Sequence, residues 1–267
     1  MPTQLRSDEN SVGLLGDTEG DQIAVHDTIR LFAEHGIRTV LHLGDFHLGV
    51  GSERVAKKRL LQTNAWLAEH DQVWLITPGN HENWDRLAAK KPGPDGLHWF
   101  ADHIAFIPRG HRWVWGDINF VSLGGAPSVN RDRLTEGRTW WPGEQITDAD
   151  VDHVVAEGEA DVMLTHDAPD PLTPKVRAVV ERNPHGWSTE ALAYAAQGRV
   201  RVTRAFTSVR PRLLVHGHHH LADRATVRLP DTGRDTEIVS LAMAGMPRSA
   251  AVLDLTGGPT KLRITTL

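Results

Sequence analysis

Cysteine is absent from this chain of 267 residues. That excludes disulfides and thiolate ligands, so any metal must be held by imidazole, carboxylate, amide or water, a donor set suited to Mn, Fe, Zn or Mg. No apolar run approaches the length of a membrane span, and Met1 to Asn10 is polar and acidic with no apolar leader. No membrane partner and a cytoplasmic location are therefore expected. A cationic excess is also missing: the formal charge is -5, which does not supply the footprint of a protein that grips long nucleic acid. Small or proteinaceous substrates are favoured. No internal repeat or low-complexity segment divides the chain, and its length suits one α/β domain over residues 1–267.

What the chain has instead is histidine, 16 residues of it, several beside Gly or Asp just after apolar runs. The run Val73-Trp74-Leu75-Ile76 leads into Thr77-Pro78-Gly79-Asn80-His81-Glu82, a strand pattern ending in a tight turn that sets an amide beside an imidazole. Four other strand-like runs end in metal-binding residue types: Gly16-Asp17-Thr18-Glu19, Gly44-Asp45-Phe46-His47, Leu164-Thr165-His166-Asp167 and His216-Gly217-His218-His219-His220. A two-metal hydrolase follows from that placement more than from the count.

The spacing predicts a strand at Val12 to Leu15, a helix from Ile23 to His35 stopped by Gly36, and a strand from Ile37 to Leu43. Ser52 is suited to cap a helix running to His70, with Leu60, Leu61, Trp66 and Leu67 on its buried stripe, and Gln72 to Ile76 follows as a strand. This β-α-β-α-β order implies a parallel sheet whose ligands gather beyond the carboxyl ends of its strands. Ile104 to Ile107, Arg112 to Trp115 and Ile118 to Leu123 read as an antiparallel meander, hence a second sheet. Thr147 starts a helix to Glu157; Val162 to Leu164 and Leu213 to Val215 are further strands. Strands within 225–265 are expected at sheet edges, and Lys90 to Gly96 and Asp167 to Gly186 as loops able to wall a pocket.

The ordered series Asp17, Asp45, Asn80-His81, His166 and His218-x-His220 resembles the calcineurin-like metallophosphoesterases, whose pattern is D-x-H, G-D, G-N-H-D/E, H and G-H-x-H. Gly124 to Val129 with Arg138 to Pro142 also resembles a linker of bacterial and phage members. The resemblance implies a two-sheet α/β sandwich flanked by helices. It implies that metal one takes Asp17, Asp45 and His220, and that metal two takes Asp45, Asn80, His166 and His218. It further implies that His81 protonates the leaving group, and that Glu19 stands where the family carries His.

Two ions about 3.5 to 4 Å apart need a shared carboxylate and a shared water made acidic by both charges. Asp45 is the candidate bridge. Alternation along an extended segment turns Asp17 and Glu19 together, and His218 and His220 inward with His219 outward. A carboxylate at Glu19 adds negative charge and favours harder ions, so Mn2+ is expected, with Fe, Zn or Mg also suited; a solvated acid at a helix start is the other reading of that residue. His47, two residues past Asp45, is a candidate substrate contact. Glu82 reads as an acid in the first turn of a helix, and His42 and His216 as strand residues. Arg131, Arg133 and Arg138 are phosphate candidates weighed against surface pairing, and Trp99, Trp113, Trp115, Trp140, Trp141 and Trp187 are candidates for stacking on a base or aromatic leaving group, weighed against core or rim packing. The expected activity is hydrolysis of phosphate mono- or diesters by a hydroxide bridging two ions. A nuclease or cyclic-nucleotide phosphodiesterase, or a non-catalytic binding module on the same fold, is the alternative, and oligomeric state is not encoded in these motifs.

Overall fold

Strands of two sheets turn apolar faces into one shared core, and the chain reaches that core by two routes. A computed structural model describes residues 9–229 and 233–267; most of the polar start, Met1 to Asp8, lies outside the described residues. The first route alternates strands and helices: β1 (Ser11–Leu15), α1 (Gln22–Glu34), β2 (Thr39–His42), α2 (Glu53–Glu69) and β3 (Val73–Ile76). Asp21 starts α1 by accepting from the Ile23 and Ala24 N–H groups, and Ser52 starts α2 by accepting from Val55 N–H. Gly36, in the left-handed region at φ 69°, ends the first helix as expected. Ile29, Phe32 and Leu67 turn inward, while Ile23 and Leu61 face solvent, so the helix stripes are narrower than the apolar spacing implies.

The second route begins with α3 (Trp84–Ala89), β4 (His98–Ala101), β5 (Ile104–Phe106), β6 (Arg112–Trp115) and β7 (Ile118–Leu123). Here the expected single meander is corrected: β5 pairs with β3 in parallel, whereas β6 and β7 form a hairpin in the other sheet. The crossing falls at Pro108-Arg109-Gly110, where proline cannot donate to a ladder and Gly110 adopts φ 79°. Arg109 pins it by donating to the Gly124, Gly143 and Glu144 carbonyls and lying over the Trp84 ring. Then come α4 (Asp148–Ala156), β8 (Val162–Thr165), α5 (Pro174–Arg182), α6 (Thr189–Val209), β9 (Leu213–His216), β10 (Asp223–Arg228), β11 (Asp235–Ser240), β12 (Ala250–Asp254) and β13 (Arg263–Thr266). The expected loop from Asp167 to Gly186 thus contains α5, and α6 is a helix the sequence pattern does not announce.

One sheet runs β13-β12-β1-β2-β3-β5-β4 and the other β10-β11-β9-β8-β7-β6. Only β10 and β13 of the four last strands lie at edges; β11 and β12 are interior, a second correction, because each buries apolar residues on both faces (Ile238 and Val239; Ala250 and Leu253). Leu14, Leu41 and Leu75 from one sheet meet Phe120, Leu164 and Val215 from the other. On the outer faces Trp74 and Val40 pack against α1 and α2 through Phe32, Ile29 and Leu67, and Met163 and Leu214 pack against α4 and α6 through Val154 and Phe206. The result is a two-sheet mixed β-sandwich covered by helices. β1, β2 and β3 are mutually parallel, as are β8 and β9, so their carboxyl ends open on one rim of the sandwich.

Candidate metal centre

Three polar anchors under that rim fix the loops. Glu82, fully buried, accepts from the N–H groups of Phe46 (3.0 Å), His47 (3.0 Å) and Gly79 (3.2 Å), tying the turn after β3 to the turn after β2. This corrects the reading of Glu82 as a helix-start acid: α3 is capped by Asn83, which follows it. Burial, with Asp45 nearby, pushes the Glu82 carboxyl up to about 7, against His47 and the Phe46 and Gly79 N–H donors. His42 is the second anchor. Its Nδ1 accepts from Gly44 N–H, which leaves Nε2–H to donate to Thr18 Oγ1 at 3.1 Å, and that hydroxyl donates on to the Asp45 carbonyl. Burial lowers the His42 pKa to about 3, so the ring is neutral. The third is Asp17, whose two carboxylate oxygens each accept from His218 N–H at 3.0 Å, joining the two sheets.

Above these anchors, Asp17, Glu19, Asp45 and His220 converge, with one donor atom of each within 4.8 Å of the others. His220 Nε2 lies 3.1 Å from Asp17 Oδ2 and 3.1 Å from Glu19 Oε1. Hydrogen bonds to those two carboxylates raise its pKa to about 10, outweighing burial. Burial pushes the Glu19 carboxyl up, but hydrogen bonds from His220 and His47 dominate and hold it at about 2. Its second oxygen, Oε2, is 2.9 Å from His47 Nε2. Glu19 is therefore turned into the centre, not out to solvent.

On the other side of Asp45 the donors are mostly neutral. His166 donates Nδ1–H to the Leu43 carbonyl at 2.6 Å, which points Nε2 at Asn80 Oδ1 (2.9 Å) and Asp45 Oδ1 (3.5 Å). Burial opposes the charged ring, yet Asp45 and Asp17 raise its pKa to about 10. Asn80 donates its amide N–H to Ser128 Oγ at 2.9 Å, so its carbonyl oxygen faces His166. Ser128 in turn donates both its hydroxyl and its backbone N–H to Glu144, at 2.6 Å each, and Tyr194 donates to the same carboxylate. The His218 ring stands 4.9 Å from that of His166.

Divalent ions fit this donor set. In each half an imidazolium proton lies among oxygen acceptors, a place a cation suits, and the donors are the oxygen and imidazole types that Mn, Fe, Zn or Mg accept. The backbone is shaped to admit them: a Cβ at Gly79 would collide with Asp45 Oδ1, and one at Gly217 with Asp17 Oδ1. Glu19, Asp45, His47, His218 and His220 all adopt positive φ (51° to 65°), a strained conformation for residues with side chains.

The structure brings together Asp17, Glu19, Asp45, Asn80, His166 and His220, with His47 bonded to Glu19 and His81 at the rim, its ring 5.5 Å from His47 and its backbone N–H donating to Asp45 (2.8 Å). Simple alternation does not describe the 218–220 segment. Because His218 and His220 are left-handed, His219 is also drawn in, its Nε2 3.5 Å from the buried Asp167 Oδ1, and Asp167, His218 and His219 form a second cluster. His216 is buried under the strands as expected. Arg131 and Arg133 lie over the Tyr194 and Trp187 rings, and Arg138 is exposed. Glu144 and Tyr194 are missed by motif reading, while Ser128, inside the Gly124 to Val129 segment, and Asp167, beside His166, are read without a role.

The family model of the calcineurin-like phosphoesterases matches residues 11–222. A dimetal phosphatase from Danio rerio is similar over 96% of this chain and 98% of its own, at 12% identity and a TM-score of 0.56. A Thermus thermophilus protein is similar over the same shares, at 12% identity and a TM-score of 0.55. At that identity the likeness speaks for the fold. No curated protein matches the sequence.

Proposed function

The chain belongs to the calcineurin-like phosphoesterase family, and from that premise we propose that it hydrolyses phosphate esters with two divalent ions held by Asp17, Glu19, Asp45 and His220 on one side and Asp45, Asn80, His166 and His218 on the other. The observation that carries this reading is the convergence of donor atoms of Asp17, Glu19 and His220 within 4.8 Å of one another and of a carboxylate, Asp45, that also borders His166. Such ions, when bound, neutralise charge on phosphoryl oxygens and make a water acidic enough to ionise near neutral pH. The chain's own residues do the rest. Asn80, locked by Ser128, offers only its carbonyl oxygen inward; His166, locked by Leu43, offers only Nε2. In this reading His81, at the rim and outside both donor sets, gives a proton to the departing ester oxygen. With carboxylates at Asp17, Glu19 and Asp45 and an amide oxygen at Asn80, oxygen donors outnumber the imidazoles, which favours Mn2+.

Both sheets contribute to one core and one site, which supports reading the chain as one domain. Rates on para-nitrophenyl phosphate and bis-para-nitrophenyl phosphate after reconstitution with Mn, Mg, Fe or Zn test the activity. His81→Ala should retain the metal content of the wild type and lose on the order of 10²-fold in rate on an alkyl phosphate, and less on para-nitrophenyl phosphate, whose leaving group needs little protonation. Metal-replete protein inert toward both nitrophenyl esters would refute the proposal.

A further inference from the structure

A cavity of about 350 Å³ opens directly beside the metal centre. His218, His219 and His220 form its inner wall; facing them are Val129, Val179 and Val180, with Trp187 and Leu192. Most of those apolar residues come from the end of α5, the turn that follows it and the start of α6, a part of the chain that supplies no metal donor. Apolar walls meeting a few convergent polar groups, at the lower end of the size range of ligand sites, fit one small organic group. A second observation concerns charge. Arg199 of α6 enters the same cavity, and among the described residues its guanidinium forms no hydrogen bond or ion pair, although it acts electrostatically on buried Asp167. A guanidinium beside metal-binding imidazoles suits an anion's oxygens.

Resting on the phosphoesterase reading above, we infer that this cavity takes the apolar alcohol part, one or two rings in size, of a small phosphate monoester, with Arg199 bonding the phosphoryl oxygens. A single cavity of this size has room for one organic group, which favours a monoester over a diester.

Calorimetric titration of the Mn-loaded protein with 1-naphthylphosphonate and with inorganic phosphate tests the inference without turnover. The naphthyl ligand should bind tighter by on the order of tenfold or more, from the apolar surface it buries. Val179→Trp and, independently, Leu192→Trp should fill the cavity and abolish that advantage while phosphate affinity stays within about twofold. Arg199→Ala should weaken both ligands alike, by about tenfold. Equal affinity of the wild type for the two ligands, or an advantage surviving both tryptophans, would overturn the cavity's assignment, and an unchanged phosphate affinity in Arg199→Ala would overturn the role of the arginine. Loss of all ester hydrolysis with the naphthyl advantage intact would instead overturn the phosphoesterase reading while upholding an aryl-phosphonate site.

Discussion

On one side of Asp45, Asp17 and Glu19 face His220 where its side chain is 39% exposed; on the other, His166 and Asn80 are 0% and 3% exposed behind Ser128 and Glu144. The open half holds dense negative charge and balances it with the proton of His220, while His47 bonds the outer oxygen of Glu19. The closed half holds fewer carboxylates and fixes Asn80 and His166 with a hydrogen bond from behind. Preorganisation and charge are thus divided between the two halves. On the proposed two-ion reading, the closed half would retain its ion, since outer partners orient Asn80 and His166 before a metal arrives. The open half would release its ion to solvent more readily, because water reaches Glu19 and His220.

The largest expected effect is at the residue the halves share. Asp45→Asn removes charge from both, and should lower bound metal below two ions per chain and the rate on the order of 10³-fold or more, checked by elemental analysis and steady-state kinetics. Two full ions retained in Asp45→Asn would break the division at its centre. The outer partners come next. Glu144→Gln turns one of the two oxygens that accept from Ser128 into a donor, which loosens the serine that holds Asn80, and the ion of the closed half should bind about 10- to 100-fold more weakly. His47→Ala frees only one oxygen of Glu19, so the open-half ion should weaken by about tenfold at most. Calorimetry on both variants ranks them, and the reverse order would show that charge, not orientation, governs retention.

The smallest effect, a shift with pH, separates protons from metals. His166 and His220 have pKa values raised to about 10 from 6.5, so their contribution to the stability of metal-free protein is complete below 6.5 and is lost as pH rises toward 10. Thermal unfolding of the metal-free chain should therefore occur at falling temperature across that window, while metal affinity climbs as the competing protons leave. Saturating Mn2+ should flatten the decline. A metal-free melting temperature that rises from pH 6.5 to 10 would contradict the proton assignment.

The donor series was legible because each member ends a strand whose apolar run is visible locally: Leu15 before Gly16-Asp17, Ile76 before the Asn80 turn, Thr165 before His166. Helix caps at Ser52 and Thr147 were legible for the same reason. Features made by distant pieces were not. The α6 helix hides because its buried stripe is rich in small residues, Ala191, Ala195, Gly198 and Ala205, with Gly198 set so close to Pro127 that a Cβ would collide with its ring. The support of Asn80 joins Ser128, Glu144 and Tyr194 from three segments, none of a metal-binding type at a strand end. The expected direction of His219 failed because alternation presumes extended backbone, and its two neighbours are left-handed. Which sheet receives β5 depends on the Arg109 crossing, a matter of tertiary anchoring.

The bond from His218 N–H to Asp17 spans 201 residues, and those of His166 to Leu43 and to Asn80 span 123 and 86. Contacts of that separation carry a large loop-closure entropy and are made late in folding. During synthesis, Asp17, Asp45 and Asn80 emerge long before the imidazoles that complete their site, so a nascent chain has no finished trap for a divalent ion. On the proposed two-ion reading, metal uptake would report that β8 and β9 have docked beside the sheet that carries Asp17 and Asp45.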